Sequence, residues 1–346
     1  MPPADIYILQ NSKGMKIQFF SAKPYDKQFF EQYNSETGFE LEFLETGLRP
    51  GTTSVVERGA AVCVFVNDQV NAEVIRALAE KGVKIIALRS AGFNHVDLDA
   101  ARAAGIRVCR VPEYSPEAVA EHAMALLLTL NRKTHKAYNR VREQNFALNG
   151  LMGFNLHGKT IGVIGTGKIG RAFCKIAQGF GCRVVAYDIF PDEQLRQAGV
   201  VYETLEEVLR ISDVLSLHCP LNDSTFEIIN KNTLQLMKPG VTLINTSRGR
   251  LINTKDVINA LKAKQVGLLG LDVYEQEEAL FFRDLSGSII DDDVIQRLMS
   301  FPNVLVTAHQ GFFTEEALSE IARVTLGSVA RLAQGSEPEN TAVILV

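Results

Sequence analysis

Thr160-Ile161-Gly162-Val163-Ile164-Gly165-Thr166-Gly167-Lys168-Ile169-Gly170 is the stretch whose reading decides how the second half of this 346-residue chain folds. Ile161 to Ile164 is a short apolar run that reads as a buried strand. It breaks at Gly165, and apolar residues resume at helical spacing from Lys168 to Phe180. Gly165, Gly167 and Gly170 stand at G-x-G-x-x-G spacing. In that pattern the first glycine permits a tight turn. The second lets the backbone approach a pyrophosphate, and the third lets helix and strand pack closely. Free N–H groups at the helix start then favour a phosphate. Glycines at this spacing also occur in ordinary turns, so the context matters. A second apolar strand, Arg183 to Tyr187, follows the helix and ends at Asp188. An acid about 20 residues beyond the glycines can accept hydrogen bonds from an adenine ribose. The same carboxylate repels a 2′-phosphate, and Ile189, Phe190 and Pro191 supply no neighbouring cation, so NAD is expected over NADP.

The length suggests two domains, and a composition 46% hydrophobic is ample for packed cores. A net charge of −4 implies no general affinity for nucleic acid or anionic membrane. The sequence contains no apolar run long enough to predict a transmembrane helix. Residues 1–14 read as a loose extension, with neither the basic start nor the apolar core of a secretory signal. Five cysteines without a CxxC pair read as reduced thiols of a cytoplasmic protein. Cys63, Cys109 and Cys182 belong to apolar strand patterns, whereas Cys219 follows a strand and is placed to line a pocket. No nucleophilic cysteine and no metal site are expected.

Working outward, Lys16–Phe20, Phe39–Leu44, Ala60–Val66, Val83–Leu88 and Ile106–Val111 read as strands. Helical spacing lies between them at Lys23–Asn34, Asn71–Lys81 and Val96–Gly105. This alternation predicts a parallel sheet covered on both faces. Pro112 and Pro116 mark a break, and Ser115 resembles an N-cap. A long helix is predicted from Glu117 to about His135, then a polar stretch to Gly153, with a domain boundary near Tyr114. Six strands are predicted beyond it: Thr160–Ile164, Arg183–Tyr187, Asp213–Leu217, Val241–Asn245, Gly267–Leu271 and Val304–Thr307.

In such doubly wound sheets, ligands gather outside the carboxyl ends of the strands. The residues that emerge there include Cys219 and Pro220, then Thr246, Ser247 and Arg248, then Asp272 to Glu277, then Thr307 to His309. An Arg can clamp a carboxylate with two parallel hydrogen bonds. A His held by an acid can exchange a proton near neutral pH. Each has a bland reading alone, as a turn cap or a solvated histidine. Together, after successive strands of one sheet, they point to a catalytic edge.

These residues carry a resemblance. The chain is similar to the D-isomer-specific 2-hydroxyacid dehydrogenases, and most like their NAD-dependent D-lactate branch. The resemblance covers nearly everything after Met15. It rests on the glycine loop, Leu88-Arg89-Ser90-Ala91-Gly92-Phe93-Asn94, the run Val111 to His122, Asn245-Thr246-Ser247-Arg248-Gly249, Leu271-Asp272-Val273-Tyr274-Glu275 and Thr307-Ala308-His309-Gln310-Gly311-Phe312. It implies Arg248, Glu277 and His309 as the catalytic residues, with Glu277 chosen over Glu275. It implies cofactor contacts at Lys168, Ile169, Asp188, Cys219, Pro220, Thr225, Thr246, Ser247 and Asp272, beside Gly165, Gly167 and Gly170. Substrate contacts fall on Ser90, Ala91, Gly92, Tyr114, Arg248 and Phe312. Ser90 stands where some lactate enzymes carry Asn. The long segment between Glu277 and Phe301 points toward the lactate branch.

The resemblance further implies two α/β domains with parallel doubly wound sheets and a cleft between them. A flavodoxin-like substrate domain would comprise 1–113 and 312–346, and a Rossmann NAD-binding domain 114–311. The Glu117 helix would pack at a homodimer interface, with a tetramer as the larger alternative. The implied reaction is reversible hydride transfer between NADH and pyruvate. Arg248 would hold the carboxylate, and His309, paired with Glu277, would donate the proton. Alternative readings are another D-2-hydroxyacid (glyoxylate, hydroxypyruvate, branched or aromatic) and an NAD-sensing corepressor-like binding protein. A formate-oxidising relative would lack the acid that partners the histidine.

Overall fold

The computed structural model describes residues 14–338 and 340–346. Of the extension expected at 1–14, all but Gly14 lies outside the described residues. The chain divides into two compact units, one running up to Ser115 and resuming at Phe313–Val346, the other spanning Pro116–Phe312.

The first unit alternates β1 (Lys16–Phe19), α1 (Pro24–Asn34), β2 (Glu40–Phe43), β3 (Ala61–Val64), α2 (Ala72–Glu80), β4 (Ile85–Leu88), α3 (Leu98–Ala103) and β5 (Arg107–Arg110). Its five strands are parallel in the order β2-β1-β3-β4-β5, the flavodoxin-like arrangement. β3 and β4 are buried along their whole length, as continuous apolar runs in a covered parallel sheet should be. α2 shows how sequence places a helix. The Asn71 side chain accepts from the N–H of Val74, and Val74, Ile75 and Leu78 form its buried face. The chain returns to this unit as the long helix Glu315–Ala333, whose start is capped by Thr314.

The second unit opens with α4 (Pro116–Arg132). The predicted helix to His135 stops three residues early. Lys133 takes a left-handed φ of +51°, and a separate helix, α5 (Thr134–Arg142), occupies part of the stretch read as polar loop. The reason is physical: α5 buries none of its residues, so no core-facing apolar spacing announces it. The sheet strands are β6 (Thr160–Ile164), β7 (Arg183–Tyr187), β8 (Val201–Tyr202), β9 (Val214–Leu217), β10 (Val241–Asn245), β11 (Val266–Leu271) and β12 (Val304–Val306). They are all parallel, in the order β12-β11-β10-β9-β6-β7-β8. Six of these match predicted strands. The seventh, β8, is two residues long, too short for any periodicity to register. Between β6 and β7 runs α6 (Lys168–Gly179), and α7 (Glu193–Gln197) follows β7. The order reverses between β6 and β9, the switch point at which such sheets bind ligands.

All five cysteines are free, and no described helix is long and apolar enough to cross a membrane. No group of three or more metal-ligating side chains occurs among the described residues.

Candidate active site

The glycine loop stands at the switch point, and each glycine has a different reason to be there. Gly165 takes φ +92°, and a Cβ on it would lie 2.5 Å from the backbone nitrogen of Cys219. Gly170 lies against the turn, and its Cβ would come within 2.0 Å of the Gly165 carbonyl oxygen. Gly167, the N-cap of α6, differs from both. Its φ of −60° suits any residue, and a Cβ there would meet no protein atom within 4 Å. No internal packing requires that glycine, so its bareness fits close approach by a dinucleotide. Lys168 and Ile169 form the first turn of α6 beside it. The Thr246 hydroxyl is also buried without a protein partner, an acceptor or donor left for a ligand. These features fit NAD.

Asp188 ends β7. Its Oδ2 accepts from the Thr166 N–H at 2.5 Å and the Thr166 hydroxyl at 3.0 Å, and its Oδ1 accepts from the Phe190 N–H at 2.9 Å. Tyr202 of β8 adds an unforeseen member, donating from its hydroxyl to Thr166 Oγ1 at 2.9 Å. Across the switch point, Ser247 Oγ donates to the Cys219 carbonyl at 2.7 Å, and Thr225 Oγ1 donates to the Pro220 carbonyl at 2.6 Å. Burial pushes the Cys219 thiol up to about 11, so it stays protonated at neutral pH. His218 lies half-buried beneath the loop with its ring centroid 4.8 Å from that of Phe173, and desolvation of the ring drives its pKa down to about 3.

The acid–histidine pair is formed. His309 Nδ1 lies 2.9 Å from Glu277 Oε1, and the second carboxylate oxygen accepts from the Tyr274 N–H at 2.9 Å. The side chains keep 21% and 19% of their exposure, so the ring is reachable. Glu275 is directed elsewhere. Burial pushes its carboxyl upward, a hydrogen bond from Thr254 opposes that, and Glu227 adds to it. Tyr274 anchors the far end of the long segment after Glu277, because its hydroxyl bonds both oxygens of Asp292 at 3.1 and 2.9 Å. Within that segment Phe282 takes φ +63°, and its ring centroid lies 6.0 Å from His309 and 6.5 Å from Phe312. Arg248 follows β10 and is half-buried. Nη1 donates to the Ser247 carbonyl at 2.7 Å, and its own carbonyl accepts from Asn245 Nδ2 at 2.9 Å.

Asp272 is 1% exposed and committed to the protein itself. Oδ1 accepts from Thr307 Oγ1 at 2.5 Å and the Gln310 N–H at 2.9 Å, and it lies 3.2 Å from His122 Nε2. Oδ2 accepts from the Gly311 N–H at 2.8 Å. Burial alone would raise this carboxyl, but the bond and charge of His122, the Thr307 hydroxyl and the charge of His309 outweigh it and hold it below the usual range. The acid read as a cofactor contact is thus also the hub that fixes the loop carrying His309. The role of His122 shows only in its place on α4, facing Asp272.

In the first unit, Ser90 Oγ donates to the Gly92 carbonyl at 2.9 Å, so the segment is folded on itself. The Ala91 carbonyl accepts from Arg110 Nη1 at 2.9 Å. Beneath it, buried Arg89 bonds Asp26 at 3.2 Å and the Phe20 and Ser21 carbonyls at 2.9 and 3.0 Å. Tyr114 is half-buried at the end of this unit.

A profile of the D-isomer specific 2-hydroxyacid dehydrogenase NAD binding domain matches residues 124–311. The 2-hydroxyacid dehydrogenase A of Aspergillus oryzae is 55% identical over 318 residues, covering 91% of this chain and 91% of that protein. The D-lactate dehydrogenase of Escherichia coli is 49% identical over 329 residues, 95% of this chain and 100% of the relative. The solved structure of the pyruvate reductase of Chlamydomonas reinhardtii superposes with a TM-score of 0.90 at 44% identity, covering 95% and 99% of the two chains. At these identities and coverages the chain belongs to the D-isomer specific 2-hydroxyacid dehydrogenase family.

Proposed function

We propose that this chain is an NAD-dependent D-lactate dehydrogenase, interconverting pyruvate and D-lactate. The observation that carries the reading is the His309–Glu277 pair. With Nδ1 on a carboxylate, the imidazole is held in one tautomer, and Nε2 becomes the nitrogen that exchanges a proton with substrate. The names of the Escherichia coli and Chlamydomonas relatives favour pyruvate over larger 2-oxoacids.

Arg248 binds the substrate carboxylate through its guanidinium, a planar fork matched to two oxygens. Bound NADH supplies the hydride. His309, as imidazolium, protonates the carbonyl oxygen as negative charge develops there, and the Glu277 carboxylate holds the ring by Nδ1. Neutral His309 is the base in the reverse direction. Cofactor would be held by Gly165, Gly167, Lys168, Ile169 and Gly170, by Asp188 toward the adenine ribose, and by Cys219, Pro220, Thr225, Thr246 and Ser247. Phe312 would close the substrate pocket within this unit.

The same reading includes a homodimer in a reducing, cytoplasmic compartment. Tyr138, Phe146, Leu148 and Met152 are 62–86% exposed on and after α5, more apolar surface than one segment normally leaves to water. Five free cysteines suit a reducing compartment. The decisive assay is NADH oxidation against a panel of 2-oxoacids with chiral analysis of the product. Pyruvate should give the highest kcat/KM, with D-lactate formed. Turnover of a larger 2-oxoacid in preference, or formation of L-lactate, would overturn the assignment. Binding of NAD without turnover would favour the corepressor-like alternative.

A further inference from the structure

Next to Asp188 in sequence there is no cation to receive a 2′-phosphate, but an arginine from another element is bonded to the same loop. Arg171 lies on α6, and its Nη2 is ion-paired with Asp192 Oδ2, four residues beyond Asp188 in the same loop. Nη1 reaches Gln194 Oε1 at 3.3 Å, and Nε is buried without a partner. The loop that carries both acids is closed on itself. The Asp192 N–H donates to the Tyr202 hydroxyl at 3.0 Å, Tyr202 donates to Thr166 Oγ1 at 2.9 Å, and Thr166 Oγ1 donates to Asp188 Oδ2 at 3.0 Å. Asp192 is therefore two hydroxyls away from the carboxylate that faces the ribose. The Arg171 side chain remains 39% exposed, so the guanidinium is accessible to a ligand, whereas Asp192 is only 12% exposed.

We propose that Asp192 is a second determinant of cofactor selectivity. It acts by neutralising Arg171, the guanidinium that would otherwise receive the 2′-phosphate of NADPH. Asp188 excludes that phosphate by direct repulsion, and Asp192 withholds the cation that could offset it. A phosphate bearing close to two negative charges then meets two carboxylates, Asp188 and Asp192, while the Arg171 guanidinium is already paired. Tyr202 keeps the arrangement rigid by tying the Asp192 backbone to Thr166. The proposal rests on the reading that Asp188 faces the adenine ribose.

The test uses the full chain without substrate, titrated with NADPH and with NADH and followed by nucleotide fluorescence. Asp188→Asn should raise the NADPH-to-NADH affinity ratio by about tenfold, the worth of one charged contact. Adding Asp192→Asn should raise it about tenfold further, because Arg171 is released. Asparagine is chosen because it still caps α7, where Asp192 Oδ1 accepts from the Leu195 N–H at 2.9 Å. Adding Arg171→Gln to the double variant should cancel the second gain and leave the first. The proposal falls if Asp192→Asn adds nothing to Asp188→Asn, or if the gain survives Arg171→Gln. It also falls if only Arg196→Gln cancels the gain, since the Arg196 guanidinium lies 5.3 Å from the Tyr202 ring. No change from Asp188→Asn alone would remove the ribose placement itself, a failure distinct from these.

Discussion

The backbone N–H of His309 donates to the Asp272 carbonyl at 2.7 Å while His309 holds a left-handed φ of +51°. That conformation costs a non-glycine residue about 1–3 kcal/mol and persists only where its surroundings over-determine it. Here the Asp272 side chain also takes the next two N–H groups, of Gln310 and Gly311. Asp272→Asn turns one acceptor oxygen into a donor facing donors. It should cost about 1–3 kcal/mol of stability. Pyruvate reduction should fall as well, because the imidazole loses its fixed backbone. The checks are the thermal midpoint and kcat at a temperature where the variant is fully folded. A variant with parent-like values in both would show that the loop is held by other contacts.

Glu277 and Glu275 separate by mutation. Glu277→Gln keeps the side chain's size but replaces the carboxylate that holds His309 Nδ1. Its kcat for pyruvate reduction should fall about tenfold or more, as expected when a general acid loses the group that orients it. Glu275→Gln should leave kcat near the parent value, because Glu275 is turned toward Thr254 and Glu227. The check is kcat with NADH and pyruvate for the parent and both variants, and a fall in the Glu275 variant alone would reverse the assignment.

Arg248→Lys keeps the charge and loses the planar fork. We expect a loss of about 2–4 kcal/mol in transition-state stabilisation, within the range for a charged partner removed from a hydrogen-bonded pair. Steady-state kinetics with pyruvate measure it as a fall in kcat/KM. Normal turnover would place the carboxylate clamp on another residue.

Two glycines of one loop should fail in different ways. Gly170→Ala drives a methyl into the Gly165 carbonyl and should lower the thermal midpoint sharply or prevent folding. Gly167→Ala meets no protein atom and has a permissible φ, so the midpoint should stay near the parent. Its NADH affinity should nevertheless drop, because the methyl occupies the pyrophosphate's approach. Unchanged NADH binding in Gly167→Ala would remove the loop from the cofactor site.

Burial holds His218 down to about 3 and His95 down to about 4, against an ordinary value of 6.5. In this window the unfolded chain takes up protons that the folded chain refuses. Stability is therefore intact above pH 6.5 and declines as pH falls toward 4, by at most about 1.4 kcal/mol per pH unit for each ring. Urea midpoints from pH 7 to pH 4 should show the decline, and His218→Gln should flatten part of it. An equally steep decline in that variant would assign the effect to other groups.

Much of this molecule is local, and local features are legible in a sequence. The glycine spacing, the buried apolar runs and the capped α2 each depend on residues within a few positions of one another. That is why β6, β7 and β10 match their predicted ranges to the residue. Among the elements that escaped, β8 and α5 are respectively too short to show a period and without any buried face. Arg248 and His309 could be placed on the right sheet edge because strand ends in a doubly wound sheet converge there. The choice of Glu277 over Glu275 came from resemblance, since two acids two residues apart look alike to any pattern.

What only the tertiary structure decided is which distant groups share a bond. Glu277 meets His309 across 32 residues, His122 meets Asp272 across 150, and Arg171 is neutralised by Asp192 across 21. No periodicity encodes such pairs, because they arise where strands separated in sequence lie side by side. The sequence by itself determined a dinucleotide-binding α/β chain with an Arg, an acid and a His at one edge. The packing of parallel strands decided which acid holds the ring and which carboxylate occupies the arginine.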